Sequence, residues 1–319
     1  MAGAVLTFCG AGFSALTAPA GHGTLWEKPK EGTAMSVHPL TKRVWYSDPV
    51  AAGDRPVLGI AAGERASLLI DGGNSPAHVW ELLSAAKALP IPPLSSIALT
   101  HWHWDHCFGA VSAALPVLAC QATERKLRWM RSLAWTDAAM EARVAEGTEM
   151  EFCRANIAIE WPGDDRKIEV PTAGRVYADS LTLDLGGLTA RLLPVACDHA
   201  PDCHVVQLVE DRVVFLGDCL YLNMDRQPWY RTTISTRRLL EGLLALDADW
   251  YIPAHHGLYD REAFRRYAEG MIRLSYAAEG AEDLPGAERL YAAMTGREAS
   301  DDDREVLGEY LAARQYGKR

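Results

Sequence analysis

Short apolar runs closed by turn residues alternate with stretches of helical spacing along most of this chain. Val37–Trp45, rich in β-branched and aromatic residues, predicts a strand, and Val57–Ala61 and Ser67–Ile70 predict two more. Asp71-Gly72-Gly73-Asn74 is turn chemistry that ends the third. Ser75-Pro76 then opens a helix to about Ala86, with proline in a favoured early place. Ile97–Leu99 and Pro116–Ala119 read as short apolar strands.

Between 122 and 160 the period changes. Leu127, Met130 and Ala134 fall at helix spacing, Val144 and Met150–Ile157 continue it, and Pro162-Gly163-Asp164-Asp165 closes a helical block. Leu181, Leu183 and Leu185 alternate with polar residues before Gly186-Gly187 turns the chain into Leu188–Leu193, a hairpin signal. Val205–Val209 and Arg212–Leu216 make a second hairpin around Glu210-Asp211. Leu239–Leu246 predicts a helix and Trp250–Pro253 a short strand. From Asp260 onward the chain reads as all-helical. Phe264, Tyr267, Ala268 and Met271 share one face, and Ser300-x-x-Asp303 forms a capping box before Val306, Leu307 and Tyr310.

This mixed order, without repeat or linker, predicts an α/β fold with one main domain at 35–259, a helical insert at about 122–160, and a helical tail at 260–319 packed on it. The length of 319 residues is ample for a sizeable core. A formal net charge of −10 argues against nucleic acid or an anionic membrane as the main partner. Seven scattered cysteines without a CxxC pair fit a reduced, cytoplasmic chain better than a disulfide scaffold. Residues 1–34 read as a flexible extension. Ala4–Leu16 is apolar and Ala18-Pro19-Ala20 is like a cleavage site, but the basic residues that a secretory signal needs do not precede them. Met35 is an alternative start.

The histidines change the picture most. Seven of the ten lie in three short segments, each after a predicted strand: His101, His103 and His106, then His199 and His204, then His255-His256. His101 and His103 are two apart, so an extended backbone points both the same way, and Asp105 and His106 follow at once. Imidazole and carboxylate together suit zinc, iron or manganese.

His101-x-His103-x-Asp105-His106 resembles the HxHxDH signature of the metallo-β-lactamase fold superfamily. Later landmarks of that family follow in order. His199 lies in a segment similar to its third-histidine motif, Asp218 in Phe215-Leu216-Gly217-Asp218 resembles its bridging aspartate, and His255 after Pro253-Ala254 resembles its last histidine. Upstream, Asp71 resembles its strand-end aspartate. The family usually has glycine where this chain has Ala254. The resemblance spans roughly 37–260 and implies a four-layer αβ/βα sandwich with a dinuclear centre at one edge. It implies one metal on His101, His103 and His199, a second on Asp105, His106 and His255, and Asp218 between them. The implied cofactors are two Zn2+, with iron or manganese as alternatives. The implied activity is cleavage of an ester, thioester or lactone by a metal-bridging hydroxide that Asp105 helps to orient.

Tyr221 stands three residues after Asp218, where similar lactone-cleaving proteins have a tyrosine that bonds the substrate carbonyl; packing beneath the site is the other reading. Asp198 is expected to fix a histidine tautomer, His204 to support the second segment, and His256 to stand beside the last ligand. His255 is favoured over His256 because it follows the proline by two. Cys107, Cys203 and Cys219 read as small buried residues. Trp102, Trp104, Trp129 and Trp135 read mainly as core. Trp229-Tyr230 and the helical block could wall an apolar pocket, with Arg226 and Arg231 turned to an acidic substrate or to solvent.

Other classes stay open. An iron-dependent sulfur dioxygenase would keep the motif and use part of it. A β-lactamase would need export, and a nuclease would need a basic stripe. A non-catalytic protein would have lost ligands, and all seven are present. The expected partner is a small acyl molecule, with homodimerisation left open.

Overall fold

The computed structural model describes residues 35–164, 166–224 and 227–318. The extension expected at 1–34 and Arg226 lie outside the described residues. One sheet runs in the order β1 (Val37–Pro39), β2 (Val44–Ser47), β3 (Gly59–Ala62), β4 (Ser67–Ile70), β5 (Leu94–Ala98), β6 (Val117–Cys120) and β7 (Ala173–Tyr177). Neighbours from β1 to β4 are antiparallel and from β4 to β7 parallel. The second sheet holds β8 (Leu181–Asp184), β9 (Thr189–Pro194), β10 (His204–Leu208), β11 (Val213–Gly217), β12 (Trp250–Pro253) and β13 (Tyr259–Asp260), side by side in that order. All its pairs are antiparallel except β11 with β12.

The inner faces of the two sheets meet in one apolar layer. Val44, Leu68, Ile70 and Leu118 enter it from the first sheet, and Leu192, Val206, Phe215 and Ile252 from the second. Central strands are apolar on both faces because both faces are covered, which is why Val213–Leu216 reads as an unbroken run. The outer face of the first sheet packs against α1 (Pro76–Ala86), the single turns α2 (Trp104–Cys107) and α3 (Ala110–Ala113), α4 (Gln121–Met130), α5 (Asp137–Ala145) and α6 (Glu151–Glu160). The outer face of the second packs against α7 (Thr233–Leu244), α8 (Arg261–Glu279), α9 (Leu284–Thr295) and α10 (Asp301–Ala312). Helix, sheet, sheet and helix thus stack as the expected αβ/βα sandwich. No helix among the described residues is long and apolar enough to cross a membrane.

Four elements differ from the sequence reading. The strand expected over Val37–Trp45 is two strands, β1 and β2, paired as a hairpin. Pro39 has no amide to extend a ladder, and Thr41 Oγ1 accepts from the Arg43 amide at 3.1 Å to close the turn. The helical block is three helices, with Thr136 capping α5 through a bond from the Ala139 amide. α7 starts at Thr233, well before its apolar run, because its first turn is polar. β7 carries a single buried residue, Tyr177, so it shows no period-two signal. The capping box forms as read: Ser300 Oγ accepts from the Asp303 amide, and Asp303 Oδ2 from the Ser300 amide.

Candidate metal centre

The three histidine segments meet because their strands end at one edge of the sandwich. His101 follows β5, His199 precedes β10, Asp218 follows β11 directly, and His255 follows β12. The His204 amide donates to the Thr100 carbonyl at 2.8 Å, and the Val57 amide to the Ala254 carbonyl at 2.6 Å, so main-chain bonds join the two sheets here. Gly217 turns Asp218 inward from a left-handed φ of 51°. A Cβ at that position would lie 2.7 Å from Thr100 Oγ1, so the turn requires glycine.

Two groups of donors face inward, His101, His103, His199 and Asp218 in one and Asp105, His106, His255 and Asp218 in the other. In the first, His103 Nδ1 lies 3.0 Å from His101 Nε2 and 2.8 Å from His199 Nε2. Asp218 Oδ2 lies 3.2 Å from His199 Nε2 and 3.7 Å from His101 Nε2. In the second, Asp105 Oδ2 is 3.1 Å from His106 Nε2 and 3.3 Å from His255 Nε2. Asp218 Oδ1 is 3.3 Å from His106 Nε2 and 3.6 Å from His255 Nε2. Bonds of about 2.0–2.1 Å to a tetrahedral cation place its donors about 3.3 Å apart. Both groups match that spacing. Asp105 Oδ2, His106 Nε2 and Asp218 Oδ1 are also buried with no hydrogen-bond partner. Buried polar atoms are rarely left so, and this nitrogen and oxygen set is one that a divalent cation satisfies.

Charge is divided unevenly across the centre. Burial, reinforced by the neighbouring imidazoles, holds His101 well below the usual histidine range and His103 at about 3. Burial acts the same way on His106 and His255, but the carboxylates outweigh it and push both up, Asp105 first for His106 and Asp54 first for His255. Burial favours the neutral acid at Asp105 and Asp218, yet His106 and His255 hold both carboxylates below their normal range. A cation entering the second group therefore competes with protons.

Around the ligands, Asp71 accepts from the Thr100 amide at 2.8 Å and faces His106 Nδ1 at 2.8 Å. That contact leaves His106 Nε2 free for the centre. Asp54 plays the matching part for His255, with Oδ1 3.3 Å from Nδ1. The sequence reading missed Asp54; its one signal is the Gly53-Asp54 turn pair. Tyr221 lies behind His255, where its hydroxyl accepts from the His255 amide at 3.1 Å and lies 2.7 Å from His256 Nδ1. Burial, with Asp218 nearby, pushes the Tyr221 hydroxyl well above the usual tyrosine range.

Other expected residues are placed elsewhere. Among the described residues Asp198 meets no histidine side chain: its carboxylate accepts from the Thr232 amide and hydroxyl. His204 reaches the carbonyls of Asp202 and Asp179 rather than a ligand side chain, and supports the segment through its amide. Arg231 is not turned to solvent; it is buried, with Nε 2.5 Å from Glu309 Oε2. Trp104 and Trp135 are core, whereas Trp129 and Trp229 are exposed. Cys107, Cys203 and Cys219 are buried.

The family model of the metallo-beta-lactamase superfamily matches residues 57–255. No curated protein matches the chain in sequence. Among solved structures, a metallo-beta-lactamase from Pontibacter korlensis is 18% identical with a TM-score of 0.51, over 74% of this chain and 98% of that one. A metallo-beta-lactamase family protein from Thermus thermophilus is 20% identical with a TM-score of 0.53, over 88% and 95%. The stereoselective inverting sec-alkylsulfatase Pisa1 from Pseudomonas sp. is 14% identical with a TM-score of 0.62, over 89% of this chain and 50% of that one. At these identities the likeness is one of fold. The family match runs from the strand-edge residue Val57 to the last of the inward-facing histidines, His255, and so takes in both donor groups: the chain belongs to the metallo-β-lactamase superfamily.

Proposed function

We propose that this protein is a metal-dependent hydrolase with two divalent cations, zinc first among them, that cleaves an ester, thioester or lactone. The observation that carries the proposal is the sharing of Asp218, whose Oδ2 faces the first donor group and Oδ1 the second. His101, His103 and His199 would hold one cation, and Asp105, His106 and His255 the other. Cations bound there supply Lewis acidity and lower the pKa of water toward neutrality. The chain's own residues do the rest. Asp71 and Asp54 orient His106 and His255. Asp105, held ionised by His106 and His255, would orient the attacking water by accepting a hydrogen bond from it. Tyr221 fixes the main chain of His255. His103 and His255 are the partly exposed members of the two groups, which marks the side open to an acyl substrate.

An iron-dependent oxygenase on this fold would need one donor group, and the completeness of both favours hydrolysis. The test is metal analysis of the purified protein together with assays on p-nitrophenyl esters, lactones, glutathione thioesters and a cephalosporin. Two equivalents of zinc and acyl cleavage are expected, both reduced in His101→Ala and Asp218→Ala. Unchanged metal content and activity in both variants would falsify the site. Bound iron with oxygen uptake on a persulfide would replace hydrolysis by redox chemistry.

A further inference from the structure

The exposed face of α4 carries Arg125, Lys126 and Arg128, none of them within ion-pair distance of a carboxylate among the described residues. Arg131, one turn on, is bound to Glu124 at 2.7 Å. The chain as a whole carries a net charge of −10, so these three cations form a local run of opposite sign. Lys126 is also held in place. Its Nζ lies 4.6 Å from the ring centre of Trp102 and 5.5 Å from that of Trp129, and the two indoles meet edge to face at 5.8 Å. Trp129 is 42% exposed. Trp102 stands between His101 and His103 in the chain, and its ring centre is 4.5 Å from that of His103. A partly exposed ligand histidine, an indole corner and an unpaired ammonium therefore lie in sequence at the open side of the centre.

We propose that this corner anchors the substrate, with Lys126 receiving an anionic end and Trp102 and Trp129 receiving a flat apolar body, while the scissile group reaches the metal centre. The substrate class is an acyl compound that carries an organic oxyanion. This deepens the hydrolase reading and rests on it. Three physical features support it. The indole faces restrict the ammonium before any ligand arrives, which lowers the ordering cost of binding. An acidic protein repels anions at long range, so local cations beside the centre steer them in. Indole surface left exposed is apolar area that a flat ligand can cover.

The test is calorimetric binding of naphthalene-2-sulfonate, a poor metal ligand, against the neutral methyl 2-naphthyl sulfone. The wild type is expected to bind the sulfonate about five- to tenfold more tightly. Lys126→Met should remove that preference, Lys126→Arg should keep it, and Trp129→Ala should weaken both probes. Lys87→Met, a change at an exposed lysine on another helix end, should alter neither. Equal binding of the two probes by the wild type, or a preference that survives Lys126→Met, overturns the proposal. No turnover is read, so absence of acyl cleavage counts against the hydrolase and not against this subsite.

Discussion

Asp54 Oδ1 lies 3.3 Å from His255 Nδ1, on the far side of the imidazole from the nitrogen that faces the metal centre. The loop pays for this contact in backbone strain, since Asp54 has a left-handed φ of 53°. Its neighbours keep it there. Arg55 bonds Glu81 at 2.8 Å and Glu160 at 2.7 Å, and Asn74 Nδ2 donates to the Gly53 carbonyl at 2.5 Å. A carboxylate behind a ligating histidine fixes its tautomer and raises its basicity. Asp54→Asn should therefore weaken one of the two metal equivalents by about ten- to a hundredfold. Competition with a chelating dye reads this directly. Two equivalents of undiminished affinity would show that Asp54 does not act through His255.

Gly217→Ala tests how the turn after β11 aims Asp218. The left-handed φ of 51° and the 2.7 Å approach to Thr100 Oγ1 both oppose a side chain there. The cost should be about 2 kcal/mol or more in urea unfolding of the metal-free protein. Metal content should fall as well, because the shared carboxylate moves with the turn. A variant of unchanged stability would mean that the turn tolerates a Cβ.

The centre was legible in the sequence because its ligands are crowded. His101, His103, Asp105 and His106 lie within six residues, and His199, Asp218 and His255 stand in segments similar to the later landmarks of the family. Asp54 was not legible, because it comes from a loop whose position depends on Arg55 reaching Glu160, more than a hundred residues away. Lys126 was hidden for a similar reason: in the helix it is one polar residue among several, and its meaning comes from Trp102 folding against it. Arg231 was misread because no local pattern shows that α10 brings Glu309 onto it. Apolar runs and hairpin turns predicted the α/β class, and the sandwich was implied by the resemblance that the HxHxDH segment carries, while β7, with its single buried residue, left no trace of period two.

The Arg231–Glu309 pair links the C-terminal helices to the centre. Arg231 is buried, and besides Glu309 it donates from Nη1 to the Leu220 carbonyl at 3.2 Å, in the turn that follows Asp218. Breaking a buried pair leaves an uncompensated charge, so Glu309→Gln should cost about 2–3 kcal/mol of unfolding free energy. The double variant Arg231→Met with Glu309→Met should be less destabilised than the single one, since it leaves no stranded charge. Urea titrations of the wild type, Arg231→Met, Glu309→Met and the double variant measure the coupling, and additive losses would remove the pair's role.

Asp202 predicts a pH dependence of stability that is separate from the metal ligands. Its side chain is buried, Oδ2 accepts from the Thr123 hydroxyl at 2.7 Å, and Oδ1 has no hydrogen-bond partner. Burial raises its pKa, and Thr123, His204 and Lys126 offset that only in part. Tyr177, also buried, faces it from β7 and adds no charge near neutral pH. The unfolded chain therefore releases this proton first, near a pH of about 3.9. Above that value stability falls as pH rises, until the folded carboxyl has ionised too, and then levels off. Asp202→Asn carries no such proton. The stability of the variant relative to the wild type should increase between pH 4 and neutrality, in a series of urea unfolding curves on metal-free protein. A difference that stays constant across that range would mean that Asp202 is not ionised at a cost in the fold.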